Sequence, residues 1–158
     1  MTVKKGSVEF VVSKARRYAL VDVKGEPGKL FGPSLGRVMG WAMQKGYAEQ
    51  GPPIGIYHDS PEDVPMDQMR MTIGVVVNDR ARGEGDVRVE TFPPREEAVL
   101  VHKGPYVSIG EAYGALMGAV FSSGRSPTGP PMEVYVSDPN RVAPAELLTE
   151  IRIPVRKA

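Results

Sequence analysis

The segment Gly51-Pro52-Pro53-Ile54-Gly55-Ile56-Tyr57 recurs 78 residues later as Gly129-Pro130-Pro131-Met132-Glu133-Val134-Tyr135. The positions from Leu35 to Val77, aligned with those 78 residues on, hold 12 identities in 43 pairs. Composition alone gives about three such matches, so the sequence predicts an internal duplication. We place the first repeat at about 1–78, a polar connector at 79–86 and the second repeat at about 87–158, all within a single domain spanning 1–158.

Both repeats have the same predicted order of elements, a leading strand followed by β-α-β-β. Short runs rich in β-branched and aromatic residues predict strands, and the i, i+3, i+4, i+7 spacing of Leu35, Val38, Met39 and Ala42 predicts a helix. The predicted strands are 8–12, 18–23, 53–57, 69–77, 87–92, 98–102, 132–136 and 149–155, and the predicted helices are about 34–46 and 107–122.

This pattern predicts an α+β fold, with two main helices on an antiparallel sheet and a pseudo-twofold axis relating the repeats. The repeats either share one sheet or face each other across that axis. In both arrangements equivalent elements meet at a central groove, which is a natural place for a ligand.

Composition excludes several classes of function. The absence of Cys and the presence of only 2 His exclude disulfides, cysteine nucleophiles and His-rich metal sites, and we expect neither a metal nor a cofactor. A formal net charge of +1 gives no electrostatic footprint for nucleic acid. No apolar stretch is long enough to span a membrane, and no apolar signal core follows the first residues, so we expect a cytoplasmic protein.

The repeats differ most sharply where Glu133 takes the position of Gly55. Because strand side chains alternate between faces, Glu133 and Tyr135 should share a face, as Gly55 and Tyr57 do. The apolar residues between them, such as Val134, favour the helix-covered side, which puts Glu133 on the other side. A carboxylate between aromatic rings suits an organic cation. The alternative is a solvated or salt-bridged glutamate on an exposed sheet face.

Glycines spaced by four mark both predicted helices, at Gly36 and Gly40 and at Gly110, Gly114 and Gly118. Each costs about 1 kcal/mol relative to alanine in a helix, so we expect the helix backbone to approach a strand, a helix or a ligand closely. Trp41 lies off the apolar stripe of its helix and is either the rim of a pocket or a lid over the sheet edge.

Two further residues are assigned structural roles. Ser34 lies in a G-x-S-x-G sequence, but no strand precedes it, so we interpret it as the N-cap of the first helix rather than a nucleophile. His102 falls within a predicted strand and is expected to be structural.

The second half resembles the GyrI-like small-molecule-binding family, known also as the effector-binding domain of AraC-type and multidrug-sensing MerR-type transcription regulators. The resemblance is carried by Gly104-Pro105-Tyr106, by Glu133-Val134-Tyr135 and by Thr149-Glu150-Ile151-Arg152-Ile153-Pro154-Val155. It implies two β-α-β-β repeats with a groove between the helices. It also implies that Glu133 lies in the ligand cleft, among aromatic residues. By strand parity and helix position we expect Tyr135, Tyr57 and Trp41 to be the aromatic walls, with Tyr106 at the helix start as a further candidate.

With a strand expected from Val8, we expect no helix-turn-helix and no direct DNA binding, as in stand-alone members of the family. Three hypotheses follow. The first is a binding protein for a lipophilic, drug-like or xenobiotic small organic ligand, either neutral or cationic, in which a buried Glu133 has a raised pKa that a cationic ligand would lower again. The second is a hydrolase of cyclopropane-bearing toxins with Glu133 as general acid/base. The third is an inhibitor of a macromolecule such as gyrase.

Overall fold

Nine strands and two helices are present within residues 6–157, the part of the chain that this computed structural model describes. The predicted repeat limits at residues 1 and 158 lie outside the described residues. The strands are β1 (Val8–Val12), β2 (Arg16–Lys24), β3 (Ile54–Tyr57), β4 (Arg70–Val76), β5 (Arg88–Phe92), β6 (Glu96–Lys103), β7 (Arg125–Pro127), β8 (Met132–Tyr135) and β9 (Leu148–Lys157). The helices are α1 (Pro27–Gln44) and α2 (Ile109–Ser122), and the predicted α+β class with two main helices is confirmed.

The chain divides into two compact units. The first unit, Ala15–Pro93, has an antiparallel sheet in the order β5-β2-β4-β3. Helix α1 covers one face of this sheet, because Val38 and Ala42 are fully buried against a core that includes Val21 and Ile73.

The second unit comprises residues 6–14 and 94–157 and has an antiparallel sheet in the order β1-β6-β9-β8, with the short β7 also paired to β9. Helix α2 covers one face of this sheet. Its residues Ala112, Leu116 and Val120 are buried against Leu100 and Ile151. The two units therefore have the same order of paired elements, each with one helix on one face.

The leading strands cross the predicted repeat boundaries. Strand β1 precedes the first repeat's helix in sequence but pairs with β6 in the second unit, and β5 pairs with β2 in the first unit. The compact units and the predicted repeats therefore divide the chain at different points. Each leading strand supplies the outer strand of the sheet in which it lies.

The start of α1 differs from its prediction. The helix begins at Pro27, so the prediction of a start at Ser34 was wrong, and Ser34 lies inside the helix rather than at its N-cap. Proline is favoured at the first helical position, because an N–H group there has no partner within the helix and the fixed φ of proline is already helical. Pro33 lies inside the helix, and for this reason the sequence alone favoured a later start.

The face assigned to Glu133 was also wrong. Glu133 is opposite Ile151 in the β8–β9 register, and Ile151 belongs to the core beneath α2, so Glu133 points towards the helix-covered side. Gly55 is likewise opposite Ile73, which lies in the core beneath α1. The alternation failed as a guide because Met132 and Val134, on the other face of β8, are buried as well.

The helix glycines do not make the close approach that their spacing predicted. A Cβ added at 36, 40, 110, 114 or 118 would meet no atom within 4 Å outside the neighbouring residues and the backbone of its own helix. All five positions are exposed, and nothing in the structure explains the glycines there. Within residues 6–157, neither helix is long and apolar enough to cross a membrane.

Candidate functional site

Glu133 is the buried carboxyl group beneath α2. It lies on β8, is only 9% exposed and points to the same side of the sheet as the core residue Ile151. Burying a carboxylate is unfavourable unless hydrogen bonds or a counter-charge compensate for the lost hydration. The contacts of its two oxygens therefore decide what the site can do.

Two tyrosine hydroxyl groups donate to this carboxyl group. Tyr113 Oη on α2 donates to Glu133 Oε2 at 2.5 Å, and Tyr135 Oη on β8 donates to Oε1 at 2.8 Å. The Tyr113 contact has the length of a hydrogen bond to an ionised oxygen, and the Tyr135 contact has that of an ordinary O–H···O bond. No lysine or arginine among residues 6–157 forms an ion pair with Glu133, so both of its compensating contacts are neutral donors.

The environment favours the protonated form of Glu133 more than water does. Burial raises the pKa of Glu133 above its ordinary value, while the hydrogen bonds from Tyr113 and Tyr135 and the charge of His102 act in the opposite direction. Burial is the larger effect. The carboxyl group of Glu133 therefore loses its proton at a higher pH than that of an exposed glutamate.

Tyr106 forms the outer part of the same cluster. It begins a short 3-10 turn, Tyr106–Ser108, immediately before α2, and it is 40% exposed. Its ring meets that of Tyr135 edge-on, with centroids 5.8 Å apart and planes at 85°. Burial and then the negative charges of Glu133 and Asp138 raise the pKa of Tyr106, which keeps its hydroxyl protonated.

A row of polar side chains continues from Tyr135 across the sheet. Tyr135 is opposite Thr149 on β9, and Thr149 is opposite His102 on β6, so the three point to the same face. Thr149 is fully buried, and its Oγ1 has no hydrogen-bond partner within residues 6–157.

His102 fixes the turn that precedes α2. Its Nε2 lies 3.2 Å from the carbonyl oxygen of Pro105 and 3.2 Å from Ser108 Oγ, and Ser108 Oγ donates to the same carbonyl at 2.9 Å. Because a carbonyl only accepts, Nε2 carries the proton that points to Pro105. These contacts fit the structural role predicted for His102.

A cleft of about 550 Å³ opens beside His102 in the same unit. Lys103, Ser108, Glu111 and Ala115 are among its lining residues, but Glu133, Tyr113 and Tyr135 are not. We give priority to the Glu133 cluster, because a buried carboxyl group that forms no ion pair with a lysine or arginine among residues 6–157 is a chemical feature, whereas this cleft is a wide, open surface depression.

Tyr57 and Trp41 belong to the first unit. The Tyr57 ring lies over Gly55, where an added Cβ would be 3.0 Å from its Oη and 3.1 Å from its Cε2. Trp41 contacts Tyr47 edge-on, and its Nε1 donates to Glu84 Oε2 at 3.5 Å. The structure thus brings Glu133, Tyr135 and Tyr106 together in one unit. The roles of Tyr57 and Trp41 as aromatic walls stay predictions.

The polar connector, residues 79–86, also contacts the first helix, which the sequence did not predict. Asp86 forms an ion pair with Arg37 on α1, and Glu84 forms one with Lys45, the residue that follows α1, in addition to its contact with Trp41. The polar connector therefore lies along the exposed side of this helix.

Sequence reasoning missed Tyr113, which lies on α2. The available signal was the set of polar substitutions between the aligned halves. Four positions are polar in the second half and apolar or glycine in the first. The aligned pairs are Tyr113 with Leu35, Glu133 with Gly55, Thr149 with Met71 and His102 with Val23. Within residues 6–157, no cluster of three or more His, Cys, Asp or Glu side chains is arranged to hold a metal ion.

Comparison with known proteins places these features in a family. The C-terminal domain of EcmrR is similar over 96% of this chain and 98% of that domain, with 25% identity and a TM-score of 0.81. This chain spans 58% of the EcmrR chain solved in complex with DNA. No curated protein matches the sequence.

Two more distant structures share the fold. A hydrolase from Listeria innocua is 17% identical, with a TM-score of 0.77 over 98% of this chain and 94% of its own. The protein SAV2435, solved bound to tetraphenylphosphonium, is 13% identical, with a TM-score of 0.60 over 95% of this chain and 94% of its own. The GyrI-like small-molecule-binding domain matches residues 6–156, and the chain belongs to this family.

Proposed function

We propose that the protein binds lipophilic organic cations, with Glu133 as the counter-charge. The observation that carries this proposal is the buried carboxyl group with two phenol donors and no basic partner within the described chain. A cation placed beside Glu133 would compensate for the burial of its negative charge, which two neutral hydroxyl groups do only in part.

The aromatic residues around Glu133 support the same class of ligand. Cations are attracted to the faces of aromatic rings, by about 0.5–2 kcal/mol for each ring. Tyr106, Tyr113 and Tyr135 supply three rings in the same unit, and Tyr57 and Trp41 are the further walls expected from the sequence. Tetraphenylphosphonium, which SAV2435 binds, is therefore the first compound to test.

Hydrolysis of a reactive electrophile is the second candidate. The raised pKa of Glu133 favours it, because a carboxyl group that stays protonated nearer neutral pH is a better general acid. The fold shared with the Listeria innocua hydrolase makes the comparison worthwhile. Under this alternative, Tyr113 and Tyr135 would orient the carboxyl group for proton transfer.

A thermal-shift screen with mass spectrometry of every hit separates these candidates. Purified protein and the Glu133→Gln variant are tested against lipophilic cations, neutral aromatic compounds and cyclopropane-bearing electrophiles. A stabilising cation that is recovered intact and loses its effect in the variant supports binding. A compound consumed by the wild type alone replaces binding with hydrolysis. The absence of any shift contradicts both and favours a macromolecular partner, for which gyrase is the first to test.

A further inference from the structure

We propose that Thr149 Oγ1 is a second polar subsite of the Glu133 site, which receives a hydroxyl group on the ligand. The inference rests on the proposed function and extends it, because it specifies a ligand that carries a hydrogen-bonding group in addition to its positive charge. Three observations support it.

The first observation is that the Thr149 hydroxyl group is buried and unsatisfied. The residue is fully buried, and Oγ1 has no hydrogen-bond partner among residues 6–157. Buried hydroxyl groups are nearly always hydrogen-bonded in folded proteins, because leaving one unpaired is costly. A hydrogen-bonding group supplied by a ligand would satisfy Oγ1.

The second observation is the position of Thr149 relative to the site. Its register partner on β8 is Tyr135, whose hydroxyl donates to Glu133, so Thr149 and the Glu133 cluster lie on the same face of the sheet. Directly opposite residues on antiparallel strands have Cβ atoms about 5 Å apart. Thr149 is therefore one residue pair away from the charged group.

The third observation is that the fold does not require a polar residue there. In the first unit, Met71 occupies the corresponding position, opposite both Tyr57 on β3 and Val23 on β2. Met71 is buried, so an apolar side chain satisfies the packing of this position. Packing of the sheet therefore does not require a threonine here, and the polar residue occurs in the unit that contains Glu133.

Thr149 has two neighbours across the strands, His102 on β6 and Tyr135 on β8. His102 is held by Pro105 and Ser108, whereas Tyr135 is half-buried on the short strand β8. A cation beside Glu133 would stabilise the carboxylate, so that loss of the hydrogen bond from Tyr135 would cost less. Rotation of the Tyr135 ring away from Glu133 is the movement by which, on this proposal, a ligand would reach Thr149, its register partner.

The test uses four types of probe and three variants of the full chain. The probes are tetraphenylphosphonium, its three mono-hydroxyphenyl isomers, the neutral compound 1,1,1-triphenylethane and the mono-phenol isomers of that compound. Affinities are measured for the wild type, Thr149→Val, Glu133→Gln and the control Thr128→Val. The control makes the same chemical change at an exposed loop position of the same unit.

We expect Thr149→Val to bind at least one hydroxyl isomer about five- to tenfold more weakly than the wild type does, the range of a single hydrogen bond. Its affinity for tetraphenylphosphonium should change less than twofold. The melting temperature of the unliganded variant should equal or exceed that of the wild type, since valine removes an unpaired hydroxyl group without changing the shape of the side chain. Thr128→Val should behave as the wild type throughout.

Two results overturn the subsite: an equal change for the parent cation and all its hydroxyl isomers, or a clear fall in the melting temperature of Thr149→Val. Hydroxyl selectivity that persists in the neutral compounds, without any preference for cations, supports the subsite and contradicts the charge role of Glu133. If the preference for cations is lost only in Glu133→Gln and Thr149→Val shows no hydroxyl effect, the result contradicts the subsite and supports the charge role of Glu133. Failure of every probe to bind contradicts both.

Discussion

Replacing Glu133 by glutamine tests the charge role of this residue with the smallest change of shape. A cation about 4 Å from the carboxylate is attracted by about 4 kcal/mol at an effective dielectric constant of about 20. Desolvation of the cation and the compensation already supplied by Tyr113 and Tyr135 reduce this value, and losses on breaking buried charge pairs are about 2–5 kcal/mol. We therefore expect a loss of about 2–3 kcal/mol, which corresponds to about 30- to 150-fold in affinity.

Isothermal titration of methyltriphenylphosphonium and its neutral isostere 1,1,1-triphenylethane at pH 7 measures this difference. Glu133→Gln should lose the preference for the cation, while its affinity for the neutral compound should change less than about threefold, because the shape of the site is kept. Glu150→Gln is the matched control, since Glu150 lies on the neighbouring strand opposite Val134, on the other face of the sheet. Equal losses for both compounds, or an equal loss in the control, would refute the reasoning.

Three further predictions concern the same unit and its counterpart. Tyr113→Phe removes the donor at 2.5 Å from Glu133 and should raise the pKa of Glu133 further, which carbon-13 NMR of the labelled carboxyl group measures; an unchanged titration curve contradicts the hydrogen bond. Because a cation binds the ionised carboxylate, its affinity should increase as the pH rises from 4.5 and level off above the raised pKa of Glu133, and a flat profile between pH 4.5 and 8 contradicts this linkage. Gly55→Ala places a Cβ 3.0 Å from Tyr57 Oη and should lower the free energy of unfolding by about 1–2 kcal/mol in denaturant titrations, whereas a neutral effect would show that the ring moves freely.

The class of fold was predictable because its signals are local. The 3.6-residue period of Val38 and Ala42 and the β-branched runs such as Val8–Val12 have their meaning within a few residues. The start of α1 was less accessible, because proline near a helix start can mark either a break or the first turn. Pro33 favoured a break, and the structure has it inside the helix.

Three residues of the candidate site, Glu133, Tyr135 and Tyr106, were predictable from the sequence, but Tyr113 and the orientation of the site were not. The exchange of Gly55 for Glu133 between aligned segments pointed to the carboxyl group, and the parity of the strand placed Tyr135 beside it. Which face meets the helix depends on tertiary packing, and β8 is buried on both faces, so the alternation carried no information about it. Tyr113 was missed for this reason, because only a carboxyl group facing the helix comes within reach of a helical tyrosine.

The pairing of the leading strands was likewise beyond the sequence. The contacts of β1 with β6 join residues about 90 apart, as in the Val8–Leu100 pair, and no local pattern specifies such a partner. The alignment of the halves described what is similar in sequence. It carried no information about which strand completes which sheet.

A crystal structure of the protein with methyltriphenylphosphonium tests the central claim most directly. We predict that the phosphorus atom lies within about 6 Å of the Glu133 carboxylate, with at least one of the tyrosine rings at 106, 113 and 135 against the cation. A cation bound in the cleft beside Lys103 and Glu111, with the hydrogen bonds of Glu133 unchanged, would contradict the assignment of Glu133 as the counter-charge.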